Sequence, residues 1–192
     1  LSTVLNWHWP DDVRAVEKDL ARMLAASAAD DGILGYAEAP SDAQLEGFVS
    51  GVERLVAEGA GHLLIGEDAE GVAAMCLMKT NSMPNCRHLA EVMKAYLDPR
   101  VRGTSAVFQL VAQVCERAAG AGVETLVIDV REGSKAHRVW SRFGFTSYGV
   151  LDDYARVDGV SYRGHYMRHG VRELAASVAD RTRERAGTPP KG

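Results

Sequence analysis

Cysteine is scarce: Cys76, Cys86 and Cys115 are the only three in 192 residues. An odd number without paired or metal-ligand spacing excludes a disulfide framework and reads as reduced thiols in a cytoplasmic protein. Long apolar runs are missing too. None approaches the ~18 residues of a membrane span, so no membrane partner is expected. The start has no positively charged segment leading into an apolar one, so no secretory signal is expected. Internal repeats are absent, and no long basic stripe suggests a nucleic-acid track.

What is present suits one soluble domain. Apolar residues make up 46% and charged residues 25%, ordinary values for a packed core. The net charge of −4 hides an asymmetry. Residues 1–130 carry 10 Lys/Arg against 19 Asp/Glu, and residues 131–192 carry 12 against 7. The basic last third suits an anionic partner such as a phosphorylated ligand, or is a solvated tail with scattered arginines.

The apolar spacing predicts a strand over 3–9, a helix opened by Pro10-Asp11-Asp12 and closed by Asp30-Asp31-Gly32, and a second helix capped by Ser41-Asp42. Strand patterns follow over 62–67, 72–79 and 86–97, joined by short turns that predict an antiparallel meander. A helix starts after Arg102 and stops at Gly120 and Gly122. Residues 123–130 read as a buried strand that pairs in parallel, 134–142 as a short helix, and 145–151 and 161–168 as strands around an Asp158-Gly159 turn. A polar helix follows Gly170, and 187–192 read as disordered. The expected domain is 1–169, with 170–192 as a polar extension. The order implies an α/β fold with a mixed sheet and helices on both faces.

The segment Tyr96-Leu97-Asp98-Pro99-Arg100-Val101-Arg102-Gly103-Thr104-Ser105-Ala106-Val107 carries the main chemical signal. A strand enters a tight turn and then a helix, whose first amides have no internal partner and whose dipole favours an anion. A second segment, Gly133-Ser134-Lys135-Ala136-His137-Arg138-Val139-Trp140-Ser141-Arg142-Phe143-Gly144-Phe145, follows after a helix and a strand. This ordered pair resembles the GCN5-related N-acetyltransferases, the GNAT superfamily, over roughly residues 1–168. The resemblance implies a mostly antiparallel mixed sheet with a splayed central parallel strand pair. It implies acetyl-CoA or another acyl-CoA as donor, a primary amine as acceptor, no metal, and direct attack on the thioester. The donor would meet Tyr96, Leu97, Arg102, Gly103, Thr104, Ser105, Ala106, Val107, Ser134 and Trp140. Ser105 and Val107 replace usual glycines, and Ser105 can donate its hydroxyl to a phosphate. Trp140 replaces a tyrosine usually credited with protonating the leaving thiolate, and an indole has no useful acidity.

Glu91 fits a base that takes the amine's proton, or makes an ordinary ion pair with Arg87 or Lys94. Tyr148 or Tyr154 is available as the acid in place of Trp140, and Tyr148 is taken first. Tyr36, Tyr162 and His165 are the expected acceptor-side residues, with a small-molecule amine as partner. Trp7 and Trp9 stack on a substrate or belong to the core, and Cys86 with His88 reads as a packed thiol beside a strand histidine. A homodimer is compatible with the family. Two other readings keep the fold: a transferase with an aminoacyl-tRNA donor, suggested by the altered glycine turn and basic last third, and an acyl-CoA-binding module without turnover, suggested by Trp140.

Overall fold

A computed structural model describes residues 4–30, 34–36 and 38–187. The elements are β1 (Asn6–His8), α1 (Glu17–Ala29), α2 (Asp42–Ala57), β2 (Gly61–Asp68), β3 (Gly71–Thr80), β4 (Leu89–Leu97), α3 (Ala106–Gly120), β5 (Thr125–Arg131), α4 (Lys135–Phe143), β6 (Thr146–Val157), β7 (Val160–Gly170) and α5 (Val171–Gly187). The seven strands form one sheet in the order β1-β2-β3-β4-β5-β7-β6. Among the described residues only β4 and β5 pair in parallel. The mixed sheet, the β2–β4 meander and the parallel central pair are as the sequence predicts.

Some local boundaries differ, each for a visible reason. Asp12 Oδ1 caps Arg14 N at 3.0 Å, and a 3-10 turn over Val13–Val16 precedes α1, so the helix proper begins later than Pro10. Pro84–Cys86 is also a 3-10 turn, and β4 starts at Leu89 rather than Cys86. The expected closure of the first helix at Asp31-Gly32, Thr3 in the first strand, and the tail after Gly187 lie outside the described residues. The Ser41 cap of α2 is a full capping box: Gln44 N donates to Ser41 Oγ at 3.3 Å, and Ser41 N donates to Gln44 Oε1 at 2.9 Å.

Two apolar layers sandwich the sheet. On one face α3, α4 and α5 bury Leu110, Val111, Trp140, Phe143, Leu174 and Val178 against Val92, Leu126, Ile128 and Met167. On the other, α1 and α2 bury Leu20, Met23, Leu24, Val49 and Val52 against Leu63, Ile65, Leu77 and Tyr96. The helix after Gly170 is therefore amphipathic, its buried Val171, Leu174 and Val178 belonging to the main core. Strand alternation sorts β5 likewise: Leu126, Ile128 and Val130 enter the first layer, leaving Asp129 and Arg131 on the second face.

One irregularity shapes the centre. Met75 pairs with Tyr96 and Leu77 with Met93, so β4 spends three steps where β3 spends two. The extra residue is a bulge, with Lys94 at φ 54. It inverts the phase of β4: Ala90 and Val92 face the α3 layer before it, Ala95 and Leu97 after it. The parallel pairing to β5 ends just ahead of the bulge, at Glu91 opposite Val127.

Candidate active site

Beyond Glu91 and Val127 the parallel pairing stops, and α3 and α4 flank the gap. A slot of about 140 Å³ lies there, walled by Ala95, Leu97, Val107, Leu110, Val139 and Trp140. Arg102 and Lys135 add two cations to this otherwise apolar lining.

The turn from β4 into α3 is built from short-range bonds. Arg100 N donates to Asp98 Oδ1 at 3.1 Å and starts a 3-10 turn over Pro99–Val101. Gly103 then adopts φ +75, which a side chain would resist. Thr104 Oγ1 donates to Val101 O at 2.7 Å and accepts from Ala106 N at 3.1 Å. Among the described residues the Gly103, Thr104 and Val107 amides donate to no protein group. They stand at the N-terminal end of a 15-residue helix, where amides and dipole together favour a phosphate. These residues fit a donor with an anionic diphosphate and an apolar arm.

Asp30, just past α1, bridges the slot's two cations. Its Oδ1 accepts from Lys135 Nζ at 2.5 Å and its Oδ2 from Arg102 Nη1. Bonding to Lys135, then to Arg102, holds the Asp30 carboxyl below its ordinary value against the opposing effect of burial. Such a group stabilises the fold above the unfolded carboxylate pKa and loses that contribution as pH falls through its lower folded value. Asp30→Asn is therefore expected to cost about 1 kcal/mol near pH 7, the gap from wild type closing below about pH 4. Urea midpoints at the two pH values check this; an equal gap at both would contradict it.

On the second face of the sheet a cavity of about 420 Å³ opens between β5, β6 and the start of α4. Asp129, Arg131, Tyr154 and Arg156 line it, and Ala136 closes one wall. Ala136 also lines the slot, so both cavities meet at the first turn of α4. Tyr154 Oη donates to Asp129 Oδ2. Glu91 is partly buried nearby; burial, and then the Asp129 charge, push its carboxyl up, with Lys79 opposing. Lys94 Nζ donates to Leu34 O at 2.5 Å, and burial pushes its ammonium down.

The model of the acetyltransferase (GNAT) family matches residues 2–145. The chain belongs to the GNAT family. Solved structures agree on the fold. A GNAT phosphinothricin acetyltransferase from Sinorhizobium meliloti, in complex with acetyl-CoA, is 16% identical, with 88% of this chain and 89% of that one covered and a TM-score of 0.70. A ribosomal-protein-alanine N-acetyltransferase from Brucella melitensis is 18% identical over 88% of this chain and 99% of that one, at a TM-score of 0.70. An N-acetyltransferase from Staphylococcus aureus Mu50 is 12% identical over 88% and 99%, at 0.71. No curated protein sequence matches the chain.

Within the GNAT fold, the residues expected to meet the donor fall into three groups. Tyr96, Leu97, Arg102, Val107 and Trp140 line the slot. Leu97 O accepts from Arg102 Nε at 2.8 Å. The Tyr96 ring turns into the α1–α2 layer, with the Arg102 guanidinium 5.2 Å from its centre and its own hydroxyl buried without a partner among the described residues. Gly103, Thr104 and Ser105 form the turn itself, and Ser105 Oγ accepts from Gln109 Nε2 at 3.0 Å. Ala106 and Ser134 are placed differently from the expectation. Ala106 is fully buried and its amide is taken by Thr104, so the accessible amides skip it. Ser134 is 4% exposed, lines the second cavity rather than the slot, and caps α4 by accepting from His137 N at 3.0 Å.

The expected catalytic and acceptor-side residues divide too. Glu91 stands at the parting of the strands, and among the described residues it has no ion pair with Arg87 or Lys94. Tyr148 is 58% exposed on β6 against Tyr166, away from both cavities. Tyr154, six residues on, reaches Asp129 instead. Tyr36 is half-buried with Lys94 Nζ 5.6 Å from its ring centre, next to Gly35, which lines the second cavity. Tyr162 lies under the Arg131 guanidinium at 4.7 Å. His165 points to the α4 side of β7, stacked on His137 at 4.6 Å and bonded to Glu132 at 3.1 Å and Ser147 at 3.2 Å. Alternation along β7 puts it on the face opposite Tyr162, so it does not line the second cavity. Asp129, Asp30 and Ala136 are absent from the expected site residues; a lone acid inside the apolar run 126–130 is the signal by which Asp129 could have been found.

Three features bear on other readings. Trp7 Nε1 donates to Gln109 Oε1 at 2.9 Å, and Trp9 stacks under Arg117 at 4.7 Å, so both tryptophans have structural partners. Cys76 and Cys115 are buried, and burial pushes both thiols up to about 12. Among the described residues no helix is long and apolar enough to cross a membrane, and no cluster of three or more His, Cys, Asp or Glu is placed to hold a metal.

Proposed function

We propose that this GNAT acetyltransferase moves an acetyl group from acetyl-CoA to a primary amine of a small molecule, by direct attack of the amine. The observation that carries the reading is the layout of the site: an apolar slot beside the strand-to-helix turn, and a polar cavity that has Ala136 in common with it. The first suits a thioester carrier and the second a small amine; acetyl-CoA is bound in the Sinorhizobium relative.

The donor supplies an acyl group already activated as a thioester. The Gly103, Thr104 and Val107 amides, with Arg102 and Lys135, hold its phosphates. Glu91 takes the proton from the acceptor's ammonium, because a carboxyl raised by burial and by Asp129 is a better base near neutrality than an ordinary one. Trp140 packs the slot and excludes water. No acid is required from its position, since a thiol of pKa ~8.5 leaves readily as thiolate.

Acetyl-CoA at a hundredfold excess over its Kd is expected to raise the melting temperature by about 5–10 °C. Addition of a competent amine then releases one free thiol per acetyl group transferred, read with a thiol reagent. No shift with acetyl-CoA or any other acyl-CoA overturns the reading.

A further inference from the structure

We propose that Asp129, oriented by Tyr154, seats the ammonium of the acceptor beside Glu91 and selects acceptors for their positive charge. The inference rests on the acyl-transfer reading above and assigns the cavity's main recognition element.

An irregular stretch of β6 and a glycine on β7 together place this one pair. Leu151 pairs with Gly164 and Ala155 with Tyr162, so β6 spends four steps where β7 spends two. The irregular stretch carries Tyr154 across the face of β7. A Cβ at Gly164 would lie 2.1 Å from the Tyr154 ring, so β7 must present a glycine for that ring to lie where it does. The Tyr154 hydroxyl then reaches Asp129 on β5, the second strand over. Tyr166 supports the ring edge-on, with centroids 6.4 Å apart.

Asp129 lies two residues beyond Val127, the partner of Glu91 at the last parallel pair. Its side chain is therefore on the same face as Glu91, across the opening between the strands, and its charge is felt there. Burial and the bond to Asp129 push the Tyr154 phenol up, so the proton stays on tyrosine and the bond keeps its direction. Tyr154 occupies Oδ2, and no hydrogen bond or ion pair to Oδ1 is present among the described residues. The nearby lysines do not neutralise the carboxylate by contact: Lys94 donates to Leu34 O, and Lys79 projects from β3 beside Glu91. Arg131 and Arg156 line the same cavity. The division of work is that Asp129 holds a cation while Glu91, the carboxyl with the raised pKa, removes its proton.

The test uses two thioether analogues of the donor, S-(2-aminoethyl)-CoA and its neutral isostere S-propyl-CoA, titrated calorimetrically into the full chain. The first carries an ammonium within about one bond of where an attacking amine would stand. Wild type is expected to bind it about tenfold more tightly than the propyl compound. Asp129→Asn removes the preference and leaves S-propyl-CoA affinity unchanged; Tyr154→Phe and Gly164→Ala reduce it, and Glu91→Gln retains it. Equal binding of the two analogues by wild type, or a preference that survives Asp129→Asn, overturns the proposal while leaving the donor site intact. Failure of both analogues to bind overturns the acyl-transfer reading and the inference with it.

Discussion

Glu91→Gln is expected to lower kcat/KM for the acceptor by a hundredfold or more, within the range of a lost general base of about 10²–10⁴, while acetyl-CoA affinity stays at the wild-type value. Glutamine keeps the size and one oxygen acceptor but cannot take a proton. The pH profile separates this from a structural effect. Burial, and then the Asp129 charge, raise the Glu91 carboxyl, while Lys79 pulls the other way. A base works only when deprotonated. Activity therefore rises with pH through a limb that lies above the ordinary carboxylate value, and this limb is absent in Glu91→Gln. Removing the like charge with Asp129→Asn relieves part of the upward push, so the limb moves to lower pH. Acceptor kinetics across pH 5–9 decide the matter. An unchanged limb in Glu91→Gln assigns the base elsewhere.

Trp140→Ala is expected to cost about 3–5 kcal/mol of stability, the range for removing a large buried aromatic side chain. Trp140 is 8% exposed and meets Phe145 edge-on at 5.0 Å and Phe143 at 6.2 Å. It also forms part of the slot wall, so truncation opens a void that joins the slot to the core. Guanidinium unfolding measures the loss. Trp140→Phe is the functional counterpart: it keeps an aromatic wall and deletes the indole N–H, and kcat is expected to stay within a few-fold of wild type. A hundredfold fall in Trp140→Phe, with the fold intact, would give the indole a direct part in the chemistry.

Much of the architecture was legible because its signals are local. Ser41-Asp42 announces α2, and the turns after Glu67 and Lys79 announce the meander. Arg102-Gly103-Thr104 announces the strand-to-helix turn, and residues 123–130 the buried parallel strand. The site was less legible where phase is set by irregularities. Tyr148 and Tyr154 are an even number apart and would share a face in a regular strand. β6 is irregular twice along the way, at Ser147/Gly149 and at Leu151/Ala155, and although both rings meet Tyr166, Tyr148 stays exposed while Tyr154 reaches Asp129. His165 lies on the face of β7 that meets α4, opposite Tyr162, because its register pairs it with Val130, and that pairing is not written in the local sequence. Ala106 looked available because amides at a helix start usually are; the Thr104 hydroxyl, a side-chain choice, had already taken its N–H.

The extra residue at Lys94 makes β4 a strand whose two halves obey opposite parity. Deleting Lys94 would leave Val92, Met93, Ala95, Tyr96 and Leu97 in simple alternation on the faces they already occupy, so β4 would lose its bulge and its tie to Leu34 O but keep its two layers. Point substitutions there adjust the shape of one wall. Removing the extra residue instead straightens the strand just past its last parallel pair with β5, which makes the count of the segment a lever on the gap between the strands.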